Sequence, residues 1–287
     1  MNKIYALIIP RFEDIFHSYF SCEVIKGASV AASRLKVDLL IHITERYSHA
    51  DWLTSSLLNP KNIDGILFAD IDSDLITLKK VIAKKIPYIV MNNFFEEPIN
   101  CISIDNKKAS MDVVDYLTDL GHTDIATIAG DLTTQAGKLR LEGYKEALDK
   151  KGVKVREEYI GPGNFLRSSA RLAAMNLLKL KNPPTAIFAA SDIMALEVID
   201  VAKSYNLLIP KELSVVGFDD NPINVYSPIG LTTVSQPLME MGRIAVEKLD
   251  QIVQEKLKTP VKIFLGTQLI KRATCAKPER KNNNEKI

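Results

Sequence analysis

The chain alternates between short apolar segments and longer segments with helical periodicity. Apolar, β-branched runs such as "KIYALIIP", "VDLLIHI", "IDGILFAD" and "CISIDN" predict buried strands. The segments between them, 18–35, 48–58, 74–83 and 107–120, repeat apolar residues at helical spacing. Strands that alternate with helices are typical of βαβ units, in which helices cover both faces of a parallel sheet.

The same alternation begins again after Gly121. The strand-like runs "TDIATIAG", "EEYIGPG", "PTAIFAAS" and "ELSVVGFDD" are separated by the helical segments 133–150, 168–180 and 192–205. One sheet of ten or more parallel strands would be unusual. The pattern therefore predicts an α/β fold of two doubly wound parallel-sheet lobes, which 287 residues are enough to build. A helix at 238–254 after the second lobe indicates that the chain crosses between the lobes several times.

Composition narrows the function classes. Apolar residues make up 46% and charged residues 25%, with a net charge of +2, as in ordinary soluble proteins. Basic residues cluster only in the tail "KPERKNNNEK", so no basic face predicts nucleic-acid binding by this chain itself. Cys22, Cys101 and Cys275 lack CxxC spacing and predict reduced thiols. The sequence shows no signal peptide and no membrane span, so we expect a cytoplasmic protein.

Common enzyme and cofactor signatures are missing from the sequence. The run "GDLTTQAGK" resembles a phosphate loop, but Leu139 follows Lys138 where Ser or Thr should bind magnesium. No G-x-G-x-x-G run follows a strand, and no G-x-S-x-G elbow is present. The four histidines show no metal-ligand spacing. We therefore expect no catalytic residues, no metal and no cofactor.

Two adjacent carboxylates, Asp219 and Asp220, follow the buried run "LSVVG". Burial of an unpaired carboxylate costs several kcal/mol, so the pair needs an explanation. The residues alone leave four explanations open: a solvated strand end, a metal site, catalytic acids, or anchors for a polar ligand.

The sequence resembles the effector-binding core of the lactose-repressor/galactose-repressor (LacI/GalR) family of bacterial transcription regulators. The matching stretches appear in the family's order: "ISIDNKKAS", "YLTDLGHTDIATIAGD", "LRLEGYKEALDKKG", "PTAIFAASDIMAL", "LSVVGFDDNP", "SPIGLTTVSQP" and "QLIKRAT". The resemblance implies the two-lobed fold of periplasmic-binding-protein-like type I domains. It implies an N-terminal lobe of residues 1–118 plus 236–258 and a C-terminal lobe of 119–235 plus 259–278. The remaining residues, 279–287, are expected to form a flexible tail.

The resemblance also implies a ligand site in the cleft between the lobes. Asp219 would accept hydrogen bonds from ligand hydroxyl or amine groups, although it could also cap the strand end. Arg140 would lie opposite it and bind hydroxyls or a carboxylate, although a surface Arg on an amphipathic helix is the common alternative. Asp220 is expected to support the loop or to cap the turn made with Asn221 and Pro222.

Further residues are ligand candidates with a structural alternative. Phe165 would close over the ligand. Ser191 would face the cleft or serve as a helix N-cap, with Asp192 placed by the helix dipole. Asp105 would reach the ligand, and Gln236 would line the pocket or the hinge. After the first strand, Phe12 or Phe16 could stack on a sugar or staple the next helix, and Arg11 and His17 are candidates there too.

The expected function is that of a sensor rather than an enzyme. A small polar effector, a sugar or a derivative, would change lobe orientation in a homodimer and so control operator binding. The operator would be bound through a helix-turn-helix headpiece that we expect to be absent from this chain. The chain would then be either a truncated form or a natural core-only protein. The alternative function is that of a solute-binding protein that delivers sugar to a transporter.

Overall fold

The computed structural model describes residues 2–10, 18–44, 59, 61–71, 75–222 and 229–279. The chain divides into two compact units. The first unit holds the residues up to Ile104 together with Pro237–Gly266, and the second holds Asp105–Gln236 and the residues from Thr267 on. The chain therefore passes between the units three times.

Strands and helices alternate along the chain as the apolar pattern predicts. The elements up to Ile104 are β1 (Ile4–Pro10), α1 (Tyr19–Leu35), β2 (Asp38–Thr44), β3 (Gly65–Phe68), α2 (Leu75–Ile82), β4 (Tyr88–Met91) and β5 (Cys101–Ile104). The second stretch contains α3 (Asn106–Asp119), β6 (Ile125–Ala129), α4 (Gln135–Lys150), β7 (Ile160–Pro162), α5 (Arg167–Leu178), β8 (Ala186–Ala189), α6 (Asp192–Ser204), β9 (Ser214–Asp219) and β10 (Thr232–Ser235). The chain then forms α7 (Leu238–Val253), β11 (Lys262–Leu265) and β12 (Gln268–Ile270). The helix predicted at 48–58 lies outside the described residues.

Each unit is built on one six-stranded sheet. The order is β11-β5-β4-β3-β1-β2 in the first unit and β12-β10-β9-β8-β6-β7 in the second. All the strand pairs of the first sheet are parallel. In the second sheet only the short β12 runs antiparallel, against β10. The predicted α/β class with two doubly wound, mainly parallel sheets is confirmed.

Two elements fall in a different unit from the one that the sequence analysis expected. Helix α3 belongs to the second unit, where it packs on α4 and β12. Strand β11 belongs to the first unit, where it pairs with β5. The observed divisions therefore lie at 104/105 and 266/267 rather than at 118/119 and 258/259. Helix packing decides the place of α3 and strand pairing decides that of β11, and an apolar pattern specifies neither partner.

In the first unit, the returning helix α7 packs closely against α1 because two glycines allow it. A Cβ atom on Gly27 would stand 1.8 Å from the carbonyl oxygen of Met239, and one on Gly242 would stand 2.2 Å from that of Val24. The buried residues of α7 include Leu238, Met241 and Leu249. This close packing attaches the returning segment to the first unit.

Candidate ligand-binding site

The second unit carries a polar cluster at the carboxyl edge of its sheet. Gly130 follows β6, Ser191 follows β8, Asp219 ends β9 and Gln236 follows β10. These four strands are neighbours in the sheet. In open α/β sheets ligands bind outside the carboxyl ends of the strands, so this edge is where a ligand site is expected.

Arg140 lies on α4 and is only 5% exposed. Its Nε donates to Oδ1 of Asn106 at 2.8 Å, and its Nη1 donates to the carbonyl oxygen of Ala190 at 2.7 Å. The guanidinium carbon lies 3.6 Å from the centroid of the Phe218 ring. These contacts hold the guanidinium in one orientation, which excludes the alternative of a surface arginine.

Asp219 places a carboxylate close to that guanidinium. Its Oδ1 lies 3.9 Å from Nη1 of Arg140 and accepts a 2.6 Å hydrogen bond from Nε2 of Gln236. Its side chain keeps 18% of its exposure. Burial raises the pKa of Asp219 to about 7, and Asp192 adds to this, although Arg140 and the Gln236 hydrogen bond act in the opposite direction. The carboxyl group is thus readily protonated near neutral pH.

The backbone at the end of β9 is strained. Asp219 has a φ of 127° and Asp220 a φ of 56°, and neither residue is glycine. Such angles are sparsely populated for residues with a side chain and persist where the surroundings hold them. Strain of this kind clusters at ligand-binding positions, and here it turns the Asp219 side chain towards Gln236 and Arg140.

Asp192 holds the loop behind Asp219. It is fully buried at the first position of α6, where its Oδ2 accepts from the backbone nitrogen of Asn221 at 2.7 Å. Its Oδ1 accepts from the hydroxyl of Thr233 at 2.5 Å. A Cβ on Gly217 would stand 2.2 Å from Oδ1 of Asp192, so this glycine gives the carboxylate its space. The helix dipole alone, which the sequence suggested for Asp192, does not describe this role.

Asp220 turns away from Arg140. Its Oδ1 accepts from Nη2 of Arg272 at 2.7 Å, and its backbone nitrogen donates to the hydroxyl of Thr233 at 3.4 Å. The ion pair ties the loop after β9 to the segment after β12. This is the loop-supporting role expected of Asp220.

Phe165 lies beside the polar cluster, in the turn between β7 and α5. Its ring centroid is 5.7 Å from the guanidinium carbon of Arg140. A Cβ on Gly130 would stand 2.2 Å from Cζ of Phe165, so the ring lies directly over this glycine. Asn164 and Phe165 both have left-handed backbone angles, 54° and 58°. The ring therefore gives the cluster one apolar wall.

Two buried amide groups border the cluster and retain hydrogen-bonding capacity. Within the described part of the chain, Nδ2 of Asn106 and Oε1 of Gln236 have no hydrogen-bond partner. Asn106 is 1% exposed and Gln236 7%. Buried polar groups without partners are rare and point to a bound ligand or water. The sequence analysis missed Asn106; its position directly after the candidate Asp105 was the available signal.

Two of the remaining ligand candidates, Ser191 and Asp105, have described positions, and both cap helices. Ser191 is the N-cap of α6, and its hydroxyl accepts from the backbone nitrogen of Met194 at 3.4 Å, so the N-cap alternative is confirmed. Asp105 caps α3 by accepting from the backbone nitrogen of Lys108 at 2.8 Å. The candidates of the first unit lie outside the described residues: Arg11, Phe12, Phe16 and His17.

Among the residues with described positions, no group of three or more His, Cys, Asp or Glu side chains could hold a metal ion. None of the described helices is long and apolar enough to cross a membrane. The second unit thus offers a compact site made of one guanidinium, one carboxyl group, two amides and one aromatic ring.

The fold and this site define a two-unit α/β ligand-binding core of the periplasmic-binding-protein type. A model of the periplasmic binding protein-like domain family matches residues 114–275. The HTH-type transcriptional repressor CytR of Escherichia coli (strain K12) is 33% identical over 282 residues, which are 96% of this chain and 81% of CytR. The HTH-type transcriptional regulator DegA of Bacillus subtilis (strain 168) is 30% identical over 94% of this chain and 80% of DegA.

Solved structures agree with these relatives. The transcriptional regulator CelR in complex with cellobiose superposes with a TM-score of 0.86 at 28% identity, over 95% of this chain and 85% of that one. The lac repressor dimer bound to operator and the anti-inducer ONPF also gives 0.86, over 96% and 95%, but at 23% identity it shows the fold alone. The chain belongs to the LacI/GalR family of transcriptional regulators, and it constitutes the effector-binding core of such a regulator.

Proposed function

We propose that the chain binds a small hydroxyl-rich effector, a sugar or a sugar derivative, through Arg140 and Asp219. The observation that carries this proposal is the pair of buried Arg140 and partly exposed Asp219, bordered by two amide groups with unused hydrogen-bonding atoms. With a pKa of about 7, Asp219 is partly ionised at neutral pH. A ligand hydroxyl that donates to the ionised form makes a charge-assisted bond worth about 1.5–3 kcal/mol. A neighbouring hydroxyl would complete the site by bonding to the free amide atoms of Asn106 and Gln236.

The charges of the cluster favour a neutral ligand. Arg140 already faces Asp219, and Asp192 is close enough to raise the pKa of that carboxyl group. A phosphate or carboxylate would therefore meet two acidic groups. Phe165 adds an aromatic surface suited to the apolar face of a sugar ring.

The remaining candidates complete the proposal. Ser191 and Asp105 would contact the ligand with whatever hydrogen-bonding capacity their helix caps leave. The candidates from the first unit would contribute aromatic and charged groups: Arg11, Phe12, Phe16 and His17. These contributions rest on the family resemblance.

The proposed output is control of transcription. The effector would favour one arrangement of the two units over another, which requires different affinities for the two states. In a homodimer this shift would alter how a helix-turn-helix segment reads its operator. The protein would act in the cytoplasm and would catalyse no reaction. The relatives described above are regulators, which favours this function over delivery of sugar to a transporter.

A thermal-shift screen of neutral sugars, polyols, sugar acids, sugar phosphates and nucleosides tests the proposal. A ligand at 100 times its Kd stabilises the native state by about 2.7 kcal/mol. Each hit is repeated on Asp219→Asn and Arg140→Lys, with Asp220→Asn as the matched control. A neutral hit that is lost in the first two variants and kept in the control supports the proposal. A hit kept by all three variants places the site elsewhere.

A further inference from the structure

A buried carboxylate outside the ligand site joins helices α5 and α6. Glu197, on α6, is 6% exposed. Its Oε1 accepts from Nε of Arg167 at 2.8 Å and lies 2.7 Å from Nη2 of the same residue. Its Oε2 accepts from Nη1 of Arg171 at 3.1 Å. A buried carboxylate needs charged or hydrogen-bonding partners, and Glu197 finds both of its partners on α5, although the arginine side chains themselves are 59% and 49% exposed.

Arg167 is the first residue of α5, two positions after Phe165. The N-cap residue, Leu166, makes no side-chain capping bond in the described structure. The preceding turn relies on backbone hydrogen bonds, from Leu166 to the carbonyl oxygen of Gly163 at 2.8 Å and from Asn164 to that of Ala129 at 3.1 Å. The turn also contains two residues with left-handed backbone angles, Asn164 and Phe165. A strained turn next to an uncapped helix start needs another anchor.

Helix α6 supplies that anchor while it also supports Asp219. Its first residue, Asp192, holds the loop behind Asp219, and Glu197 lies five positions further along the same helix. The hydrogen bond from Arg167 to Glu197 therefore connects the Phe165 turn to the same helix.

We propose that Glu197 is a positioning residue for the ligand site: through Arg167 it holds the Phe165 ring over Gly130 and beside Arg140. Its effect on ligand binding rests on the proposed function, whereas its effect on the ring does not. Arg171 provides a matched comparison. It contacts the same carboxylate but lies one helical turn further from Phe165. Arg171 therefore neutralises the charge of Glu197 as Arg167 does, but it does not hold the Phe165 turn.

The test uses the full chain and requires no ligand. Amide hydrogen exchange is measured for Asn164 and Leu166, and the nuclear Overhauser effect is measured between the Phe165 ring and the Hα protons of Gly130. Arg167→Ala is expected to accelerate exchange at both amides by about tenfold or more and to abolish the Overhauser effect. Arg171→Ala is expected to change neither by more than about twofold. Arg167→Lys, which restores one charged donor, is expected to recover part of both signals.

Glu197→Gln keeps an oxygen acceptor without the charge and should fall between the wild type and Arg167→Ala. It also keeps the test valid if Arg167→Ala fails to fold. Exchange at the amides of β8 reports any general loss of stability. Equal effects of Arg167→Ala and Arg171→Ala, or acceleration that extends equally to β8, would overturn the proposal. The exchange and Overhauser readouts need no ligand and use variants of residues that the ligand screen does not change, so failure of one proposal does not imply failure of the other.

Discussion

The Nη1 atom of Arg140 lies 3.9 Å from Oδ1 of Asp219, which is longer than a hydrogen bond but short enough for strong charge interaction. Each group has its closer partner elsewhere: Ala190 for the guanidinium and Gln236 for the carboxyl group. These two hydrogen bonds, to Ala190 and from Gln236, therefore keep the guanidinium and the carboxyl group apart. A ligand hydroxyl can bond to the carboxyl group without breaking an Arg140 contact.

The raised pKa of Asp219 predicts a specific pH dependence of stability. The native carboxyl group titrates at about 7, and an unfolded Asp titrates at about 3.9. Between these values the native state binds more protons, so the free energy of unfolding falls as the pH rises from about 4 to about 7. Urea titrations of wild type and Asp219→Asn should diverge in this interval and run parallel above it. If Asp220→Asn removes the same pH dependence, the assignment to Asp219 is wrong.

His122 predicts a dependence of the opposite sign. Burial lowers its pKa. Its Nε2 lies 2.9 Å from the carbonyl oxygen of Ala276, which requires a proton on Nε2, and its Nδ1 lies 2.8 Å from the hydroxyl of Thr185. Protonation of Nδ1 would end this contact as an acceptor and leave the Thr185 hydroxyl its longer bond, 3.3 Å, to the carbonyl oxygen of Asp124. The unfolded state binds more protons below about pH 6.5, so stability falls as the pH drops through that value.

The measurement compares the free energy of unfolding of wild type and His122→Gln at pH 8 and pH 5.5. At pH 8 the variant should lose about 1–3 kcal/mol from its broken hydrogen bonds. At pH 5.5 the difference should shrink, because only the wild type has a histidine whose protonation stabilises the unfolded state. A difference that stays constant between the two pH values would contradict a neutral buried His122.

Gly130→Ala should reduce ligand binding by moving Phe165. The added Cβ would stand 2.2 Å from Cζ of the ring, so the ring must leave its place over residue 130. Overpacking of this kind costs about 1–3 kcal/mol of stability. Gly230→Ala is the control, since its Cβ would meet Arg272 at an ordinary 3.5 Å. Calorimetric titration of both variants with the ligand from the screen should show weaker binding for Gly130→Ala alone.

Gly242→Ala should destabilise the first unit without touching the ligand site of the second. Its Cβ would stand 2.2 Å from the carbonyl oxygen of Val24, and backbone atoms cannot move aside cheaply. We expect a loss of about 1–3 kcal/mol or more in urea unfolding. Gly266→Ala, whose Cβ would meet nothing within 4 Å, should be nearly neutral. Similar midpoints for the two variants would show that α1 and α7 are not packed this closely.

The sequence predicted the fold better than the boundaries and the local roles. Apolar runs gave the two doubly wound sheets because burial on both faces leaves a continuous hydrophobic signature. They did not give the partner of β11, because pairing with β5 depends on residues some 160 positions away.

For the ligand site too, the sequence predicted the main residues but not the residues that hold them in place. Motif resemblance brought Arg140, Asp219 and Gln236 together, and the structure places them within one cluster. The sequence analysis missed two residues that hold this cluster in place. Asn106 accepts a hydrogen bond from Arg140, and Asp192 accepts one from the loop that follows Asp219. The position of Asn106 next to Asp105 was a local signal, but the contacts that Asn106 and Asp192 make with distant parts of the chain are tertiary and have no local sequence signature.

The most direct test of the central claim is a crystal structure of the chain with the strongest neutral ligand from the screen. We predict a ligand hydroxyl within about 2.5–3.0 Å of a carboxylate oxygen of Asp219, and the face of the ligand against the Phe165 ring. Hydrogen bonds from the ligand to Nδ2 of Asn106 or Oε1 of Gln236 would account for the two unused buried atoms. A ligand bound elsewhere, with Asp219 still bonded only to Gln236, would contradict the account.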